Sequence, residues 1–395
     1  MKKRMLICHW NMVIGGIETA LINMLKRIDP NQFEVDLLLE EKRGDFLEFI
    51  PAYVNVFDSA SIGLLHGSTK KALLHELKRF RFISAAKVLY YWEKRDLRRF
   101  DCFYRKAKHM QYDIAISYSM HSLGLLRFVN DYVEAPIKLV FLHGEPTRDK
   151  TDSCKFLMLD REKCLYNYDG IFGVSNGITE KFTSLYPQYA DKCQTIYNFM
   201  DVERYYERAD EFHCVEMTPE NVNILSVGRF AQEKNFLIIP YVCEELNRKG
   251  INYKWFIIGD GSEREQAQAE IAKRGLQNRL YLLGAKKNPY PYYKACDLYC
   301  QTSKSEAYCT TVNEARIFNK PIVSTMFPGI TEQLADGQGG IIVEITPRAI
   351  AEGIIKIIEM SELDKQNMLK KSAYPNALEE NAGNKFFEII GQKTN

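Results

Sequence analysis

Short runs of apolar, often β-branched residues alternate along the chain with longer stretches whose apolar positions recur every three or four residues. The first pattern predicts buried strands, the second amphipathic helices, and their alternation predicts α/β architecture with parallel sheets. In the first half, strands are predicted at 4–9, 34–39, 54–57, 113–118, 138–142, 170–174 and 194–197, with helices at 17–28 and 176–186 and a long polar-amphipathic stretch over 69–110. Residues 201–220 are acidic and poor in strand formers, and they read as a connector. A second alternating set follows, from a strand at 222–227 to a helix at 347–360. The expected organisation is a pair of doubly wound, Rossmann-like domains joined by one linker. Such sheets bind ligands beyond the carboxyl ends of their strands, so a cleft between the two domains is the expected site.

Candidate chemistry falls at those strand ends. Glu306 sits in a predicted strand-to-helix loop, and Glu314 lies about one turn inside the helix that follows. Exposed N–H groups at a helix start suit phosphate. Carboxylates beside them would repel phosphate and are better used to accept from sugar and ribose hydroxyls. Phosphate in the middle with a sugar at each end describes a nucleotide sugar. Arg229 and Lys234 flank another strand-to-helix loop, where a guanidinium fork and an ammonium can grip one diphosphate. Gly15 and Gly16 close the loop after the first strand, without the third glycine of a dinucleotide fingerprint. His143, backed by Gly144, leaves an apolar strand, while Gly228, Gly259 and Gly284 mark turns after three more. Taken singly, each is equally a plain turn, a capping histidine or a solvated cation. Their placement along one rim is what points to a site.

Composition narrows the class. The 395 residues are 46% hydrophobic and 26% charged, with a net charge of +2, which argues against an overall nucleic-acid-binding character. No apolar run approaches the roughly 18 residues that span a bilayer. The start resembles a signal peptide only superficially, since Asn11, Gly15, Gly16 and Glu18 interrupt it, and it reads as a first buried strand. Ten cysteines occur without a CxxC pair, which predicts a reduced, cytoplasmic and metal-free state.

With those residues in place, the chain resembles retaining glycosyltransferases of the GT-B fold, family 4 (glycosyltransferase group 1), of the type found in bacterial cell-surface polysaccharide synthesis. The resemblance covers nearly the whole length. It rests on Gly15-Gly16, His143-Gly144, Val174-Ser175-Asn176, Tyr197-Asn198, Gly228-Arg229 with Lys234-Asn235, Gly259-Asp260-Gly261, Gly284, and Glu306 with Glu314. It implies an acceptor-binding domain at 1–200, a hinge at 201–220 and a nucleotide-sugar-binding domain at 221–374. A helix within 375–395 is expected to return to the first domain. Arg229 and Lys234 resemble the pair that grips the donor diphosphate, Glu306 the residue on the donor sugar, and Glu314 the ribose-binding glutamate. His143 resembles the histidine near the anomeric carbon. Thr310 and Thr311, at the helix start, complete the donor site. Where the family has glycines after the first glutamate, this chain has Ala307 and Cys309, which is expected to narrow the sugar pocket. No Asp-x-Asp occurs, so metal-free stabilisation of the leaving group is expected; the nucleotide sugar, taken as a UDP-sugar, is a substrate rather than a cofactor.

The acceptor side is read from a basic segment. Residues 70–108 carry thirteen Lys or Arg against four acids, a local charge of +9, interleaved with eight aromatic residues. Lys78, Arg79, Arg81, Lys94, Arg95, Arg98 and Arg99 are the candidate contacts. This pattern suits either an anionic membrane surface that holds a lipid-linked acceptor, or a solvated hairpin with its aromatics in the core. Expected partners are thus a nucleotide-sugar donor, a glycan or lipid-linked acceptor, the inner face of the cell membrane and other glycosyltransferases, with no nucleic acid. Two rival functions remain at this stage: a catalytically silent GT-B subunit supporting an active partner, and a nucleotide-sugar epimerase. Donor consumption with and without acceptor separates them.

Overall fold

A computed structural model describes residues 2–58, 111–120, 123–146, 164–375 and 377–394. The long amphipathic stretch and the seven basic candidates Lys78, Arg79, Arg81, Lys94, Arg95, Arg98 and Arg99 lie outside them. Two sheets organise the rest. The first joins β1 (Lys3–His9), β2 (Phe33–Leu39), β3 (Val54–Asp58), β4 (Ile114–Ser117), β5 (Ile137–Leu142), β6 (Gly170–Gly173) and β7 (Cys193–Thr195) in the order 3-2-1-4-5-6-7. The second joins β8 (Val222–Val227), β9 (Tyr253–Ile258), β10 (Leu280–Gly284), β11 (Leu298–Gln301), β12 (Ile322–Thr325) and β13 (Ile341–Val343) in the order 10-9-8-11-12-13. Every pairing between these strands is parallel. Parallel strands are covered on both faces, which explains why β4 and β11 are buried along their whole length instead of alternating. Strand order reverses between β1 and β4 in one sheet and between β8 and β11 in the other. Both switch points open a crevice at the carboxyl ends, toward the same space.

The connector differs from its reading. Residues 202–209 form a helix, Val202–Ala209, whose start is capped by the Asp201 side chain accepting from the Arg204 N–H. Tyr205 and Ala209, four apart, are buried on one face of it. The connector thus contains a helix docked on both domains.

The last helix, Ala377–Thr394, runs back to the first sheet. Phe386 is fully buried, with its ring 5.7 Å from Phe141, 6.0 Å from Phe172 and 5.8 Å from Phe199. At its beginning, Glu379 forms an ion pair with Arg316 in which both side chains are 1% exposed. One helix thus ties the core of the first domain to the helix Thr310–Ile317 of the second.

Candidate active site

A cavity of about 500 Å³ lies between the two sheets, lined from both. Its first-domain wall includes Gly15, Gly16, His143 and Val174. The second-domain wall carries Gly228, Arg229, Lys234, Gly259, Glu306, Thr310, Thr311 and Glu314. All the sequence-derived donor and catalytic candidates meet there except Gly284. That glycine takes the left-handed φ of +73° and its carbonyl accepts from the Gly259 N–H at 2.9 Å, while its neighbour Ala285 lines the cavity. Gly284 shapes the rim from behind.

The Arg229 loop is anchored by its hydrophobic residues. Phe230 and Phe236 are fully buried with ring centroids 5.1 Å apart, so the residues between them are held as an arch. Gly259 packs against the loop so closely that a β-carbon would lie 1.7 Å from the Gly228 carbonyl oxygen, at a φ of +149°. Only glycine fits both conditions. The Thr302 hydroxyl, just past β11, donates to the Lys234 carbonyl at 2.9 Å, and the Lys304 N–H donates to the Glu233 carbonyl at 2.8 Å. The cationic loop is therefore stitched to the glutamate loop through its Glu233 and Lys234 carbonyls.

Their side chains are joined as well. The Lys234 ammonium pairs with Glu306, whose Oε1 also accepts from the Ser303 hydroxyl at 2.7 Å and from Gln301 Nε2 at 3.4 Å. Burial works against the charge on Lys234, but the Glu306 carboxylate, together with Cys309 and Glu233, raises the ammonium above its ordinary range. The residues read as facing the diphosphate and the sugar are thus paired with each other. Arg229 has no acidic partner among the described residues.

Glu314 is the most unusual group here. It sits in the 310–317 helix, 6% exposed, and its Oε2 is buried without a hydrogen-bond partner. Burial pushes its carboxyl up to about 7, against the opposing pull of a Tyr293 hydrogen bond and the Lys234 charge. This open acceptor lies on the cavity wall. On the opposite wall, the His143 ring lies 4.6 Å from Tyr118 and stacks on Phe141 at 5.7 Å. These rings lock its orientation.

Of the two departures from the glycine-rich family loop, only Ala307 lines the cavity. Cys309 is buried, its Sγ 3.1 Å from the Thr311 hydroxyl, and burial pushes the thiol up to about 11. It remains a neutral thiol at physiological pH and does not line the cavity, so only Ala307 stands where the narrowing was expected.

Sequence reasoning missed the far end of the cavity. Tyr205 and Tyr290 stack at 4.3 Å, and Arg208 lies over Tyr290 at 5.5 Å and over Phe49 at 5.4 Å. The Asn23 amide donates to the Tyr205 hydroxyl at 2.9 Å, fixing the stack from the first domain. The available signal was Asp201 as a helix cap with Tyr205 and Ala209 spaced four apart behind it.

Two Rossmann-like domains facing each other across a ligand-sized cleft define the GT-B fold. Residues 211–375, which span the second domain, match the family model described as Glycosyl transferases group 1. A Campylobacter jejuni relative, N-acetylgalactosamine-N,N'-diacetylbacillosaminyl-diphospho-undecaprenol 4-alpha-N-acetylgalactosaminyltransferase, is 26% identical over 199 residues, 50% of this chain and 53% of its own. The lipopolysaccharide core biosynthesis glycosyltransferase LpsE of Rhizobium meliloti is 28% identical over 141 residues, 36% of this chain and 39% of its own. The chain thus spans about half or less of the length of these curated relatives. Whole-chain structural likeness is broader. Anabaena HepE in complex with UDP superposes with a TM-score of 0.68 at 18% identity, covering 100% of this chain and 98% of HepE. An E. coli trehalose-6-phosphate structure bound with UDP-2-fluoro glucose superposes at 0.70 and 13% identity, covering 98% and 99%. At these identities the likeness establishes the fold.

Proposed function

We propose that the protein is a retaining, metal-independent glycosyltransferase. It moves a sugar from a nucleotide-sugar donor, a UDP-sugar, to a lipid-linked or oligosaccharide acceptor in cell-surface glycan assembly. The observation that carries this reading is the convergence of Arg229, Lys234, Glu306 and the open Glu314 carboxylate on one interdomain cavity. The C. jejuni relative's diphospho-undecaprenol acceptor and the UDP in HepE support the choice of acceptor and donor classes.

In this reading the ribose hydroxyls donate to Glu314 and the diphosphate lies between Arg229, Lys234 and the helix start at Thr310-Thr311. Its arrival draws Lys234 toward phosphate and frees Glu306 to accept from the donor sugar. As the anomeric C–O bond breaks, its electron pair passes to the leaving phosphate, where preorganised cations stabilise the growing charge. The acceptor hydroxyl attacks the anomeric carbon from the same face, and its proton goes to the departing phosphate oxygen. His143, held by Tyr118 and Phe141, borders the sugar from the first domain.

The basic residues of 70–108 would bring the first domain to an anionic membrane, where a lipid-linked acceptor resides. The described residues include no helix long and apolar enough to cross a membrane. A surface association of this kind predicts binding to anionic vesicles that falls steeply with salt.

The test is a thermal-shift screen with UDP-, GDP- and ADP-sugars, followed by donor turnover with and without acceptor. A ligand at a hundred times its Kd adds about 2.7 kcal/mol of apparent stability. Stabilisation by UDP-sugars and acceptor-dependent turnover is expected. No shift with any nucleotide sugar, or donor conversion that needs no acceptor, contradicts the proposal.

A further inference from the structure

Loop 305–309, which carries Glu306 into the 310–317 helix, is held at every residue by a partner outside itself. The Ser305 hydroxyl donates to Glu145 Oε2 at 3.1 Å. Glu306 pairs with Lys234. The Ala307 carbonyl accepts from the Ser175 hydroxyl at 2.9 Å. The Tyr308 ring lies 5.1 Å from Tyr197, and its hydroxyl donates to Glu379. Cys309 is bracketed by the Gln333 side chain, which accepts from its N–H at 3.2 Å and donates to its carbonyl at 2.8 Å.

Three of these partners, Glu145, Ser175 and Tyr197, belong to the first domain. Ser175 is fully buried and its one hydroxyl has two tasks: it accepts from the Ile178 N–H at 3.2 Å, starting the helix Asn176–Leu185, and it donates to Ala307. The contact is reinforced next door, where the Glu332 carboxylate accepts from the Asn176 N–H at 3.0 Å, the Gly177 N–H at 2.7 Å and the Tyr197 hydroxyl at 3.0 Å. A five-residue loop with no regular structure of its own takes its shape from what it touches. Here half of those partners come from the opposite domain.

We infer that Ser175 and Glu145 are positioning residues for the donor. They shape loop 305–309 so that the helix start at Thr310-Thr311 faces the terminal phosphate of the nucleotide, and the first domain thereby controls phosphate grip in the second. The inference rests on the nucleotide-sugar reading of the cavity. It assigns no contact with the donor to either residue.

The test compares affinities for UDP and UMP by calorimetric titration of the full chain. The two ligands share uridine and differ in the phosphate that the loop is inferred to organise. Wild type is expected to favour UDP. Glu145→Ala, at a partly exposed position, and Ser175→Ala are each expected to lower the UDP-to-UMP affinity ratio about threefold to tenfold, the scale of one lost hydrogen bond. UMP affinity itself should hold, and Ser175→Thr, which keeps the hydroxyl, should restore the ratio. A merely structural role would weaken both ligands together. An unchanged ratio in a folded Glu145→Ala variant overturns the inference even if Ser175→Ala fails to fold. Wild type that binds neither ligand overturns the cavity reading, and the inference with it.

Discussion

Gly16 of the first domain approaches Thr310 of the second so closely that a β-carbon on the glycine would lie 2.3 Å from the threonine hydroxyl and 3.4 Å from its Cβ and Cγ2. The loop after β1 therefore rests on the start of the helix that carries Glu314, and the cleft is closed at that point by the absence of a side chain. Gly16→Ala should leave the fold intact, because each domain retains its own core, while holding the two walls apart. A misplacement of about 1 Å can cost roughly 10² in rate. Transfer rate measured beside thermal midpoint checks this. A normal rate in Gly16→Ala would mean that the approach is incidental.

The buried Glu314 carboxyl links function to stability. Its folded-state value of about 7 lies above the ordinary 4.5. Below pH 4.5 the group is protonated in both states and adds no pH-dependent cost; the cost of burying its charge grows as pH rises from 4.5 to about 7 and is complete above that. The difference corresponds to about 3 kcal/mol at pH 8. Glu314→Gln should raise the unfolding free energy of the ligand-free protein by that order at pH 8, with the gain vanishing near pH 4.5. If Glu314 accepts from the ribose as proposed, the same change should also weaken uridine nucleotides. Denaturant unfolding at the two pH values measures the first effect. A gain that is the same at both would rule out titration of this group as its cause.

Arg316 and Glu379 join the helix Thr310–Ile317 to the C-terminal helix. The guanidinium donates to both Glu379 oxygens, at 2.6 and 3.0 Å, to Asn313 Oδ1 at 2.6 Å and to the Ser372 carbonyl at 2.8 Å. Removing one partner leaves the other charge buried, which costs about 3–5 kcal/mol. Arg316→Ala should lose stability on that scale, whereas the paired apolar change Arg316→Met with Glu379→Leu should recover much of it. Unfolding free energies of the single and double variants decide. If the double variant were as unstable as the single one, the uncompensated charge would not be the cause.

Most of the fold is legible in the sequence because parallel strands, buried on both faces, appear as compact apolar runs. β8 falls at the predicted residues, and β1 and β5 differ by one residue at an end. The Val202–Ala209 helix was hidden because Arg204, Glu207 and Arg208 dilute its apolar face to Tyr205 and Ala209. Site candidates that follow strands directly, such as His143, Arg229 and Glu306, were readable from that position. Ser175, Glu145 and Glu332 were not assigned roles, because their partners lie in the opposite domain and more than a hundred residues away. Only the assembled cleft reveals them. The direct Lys234–Glu306 pair was likewise missed, since each residue was read as facing a ligand rather than the other.

The central claim is a diphosphate gripped by Arg229 and Lys234, and UDP titration against uridine tests it most directly. Wild type should bind UDP, and Arg229→Ala and Lys234→Ala should each weaken UDP tenfold or more while leaving uridine unchanged. With substrates supplied, each should lose about 10²–10³ in turnover, the scale for one preorganised donor. Folded variants that bind UDP as tightly as wild type would contradict the account.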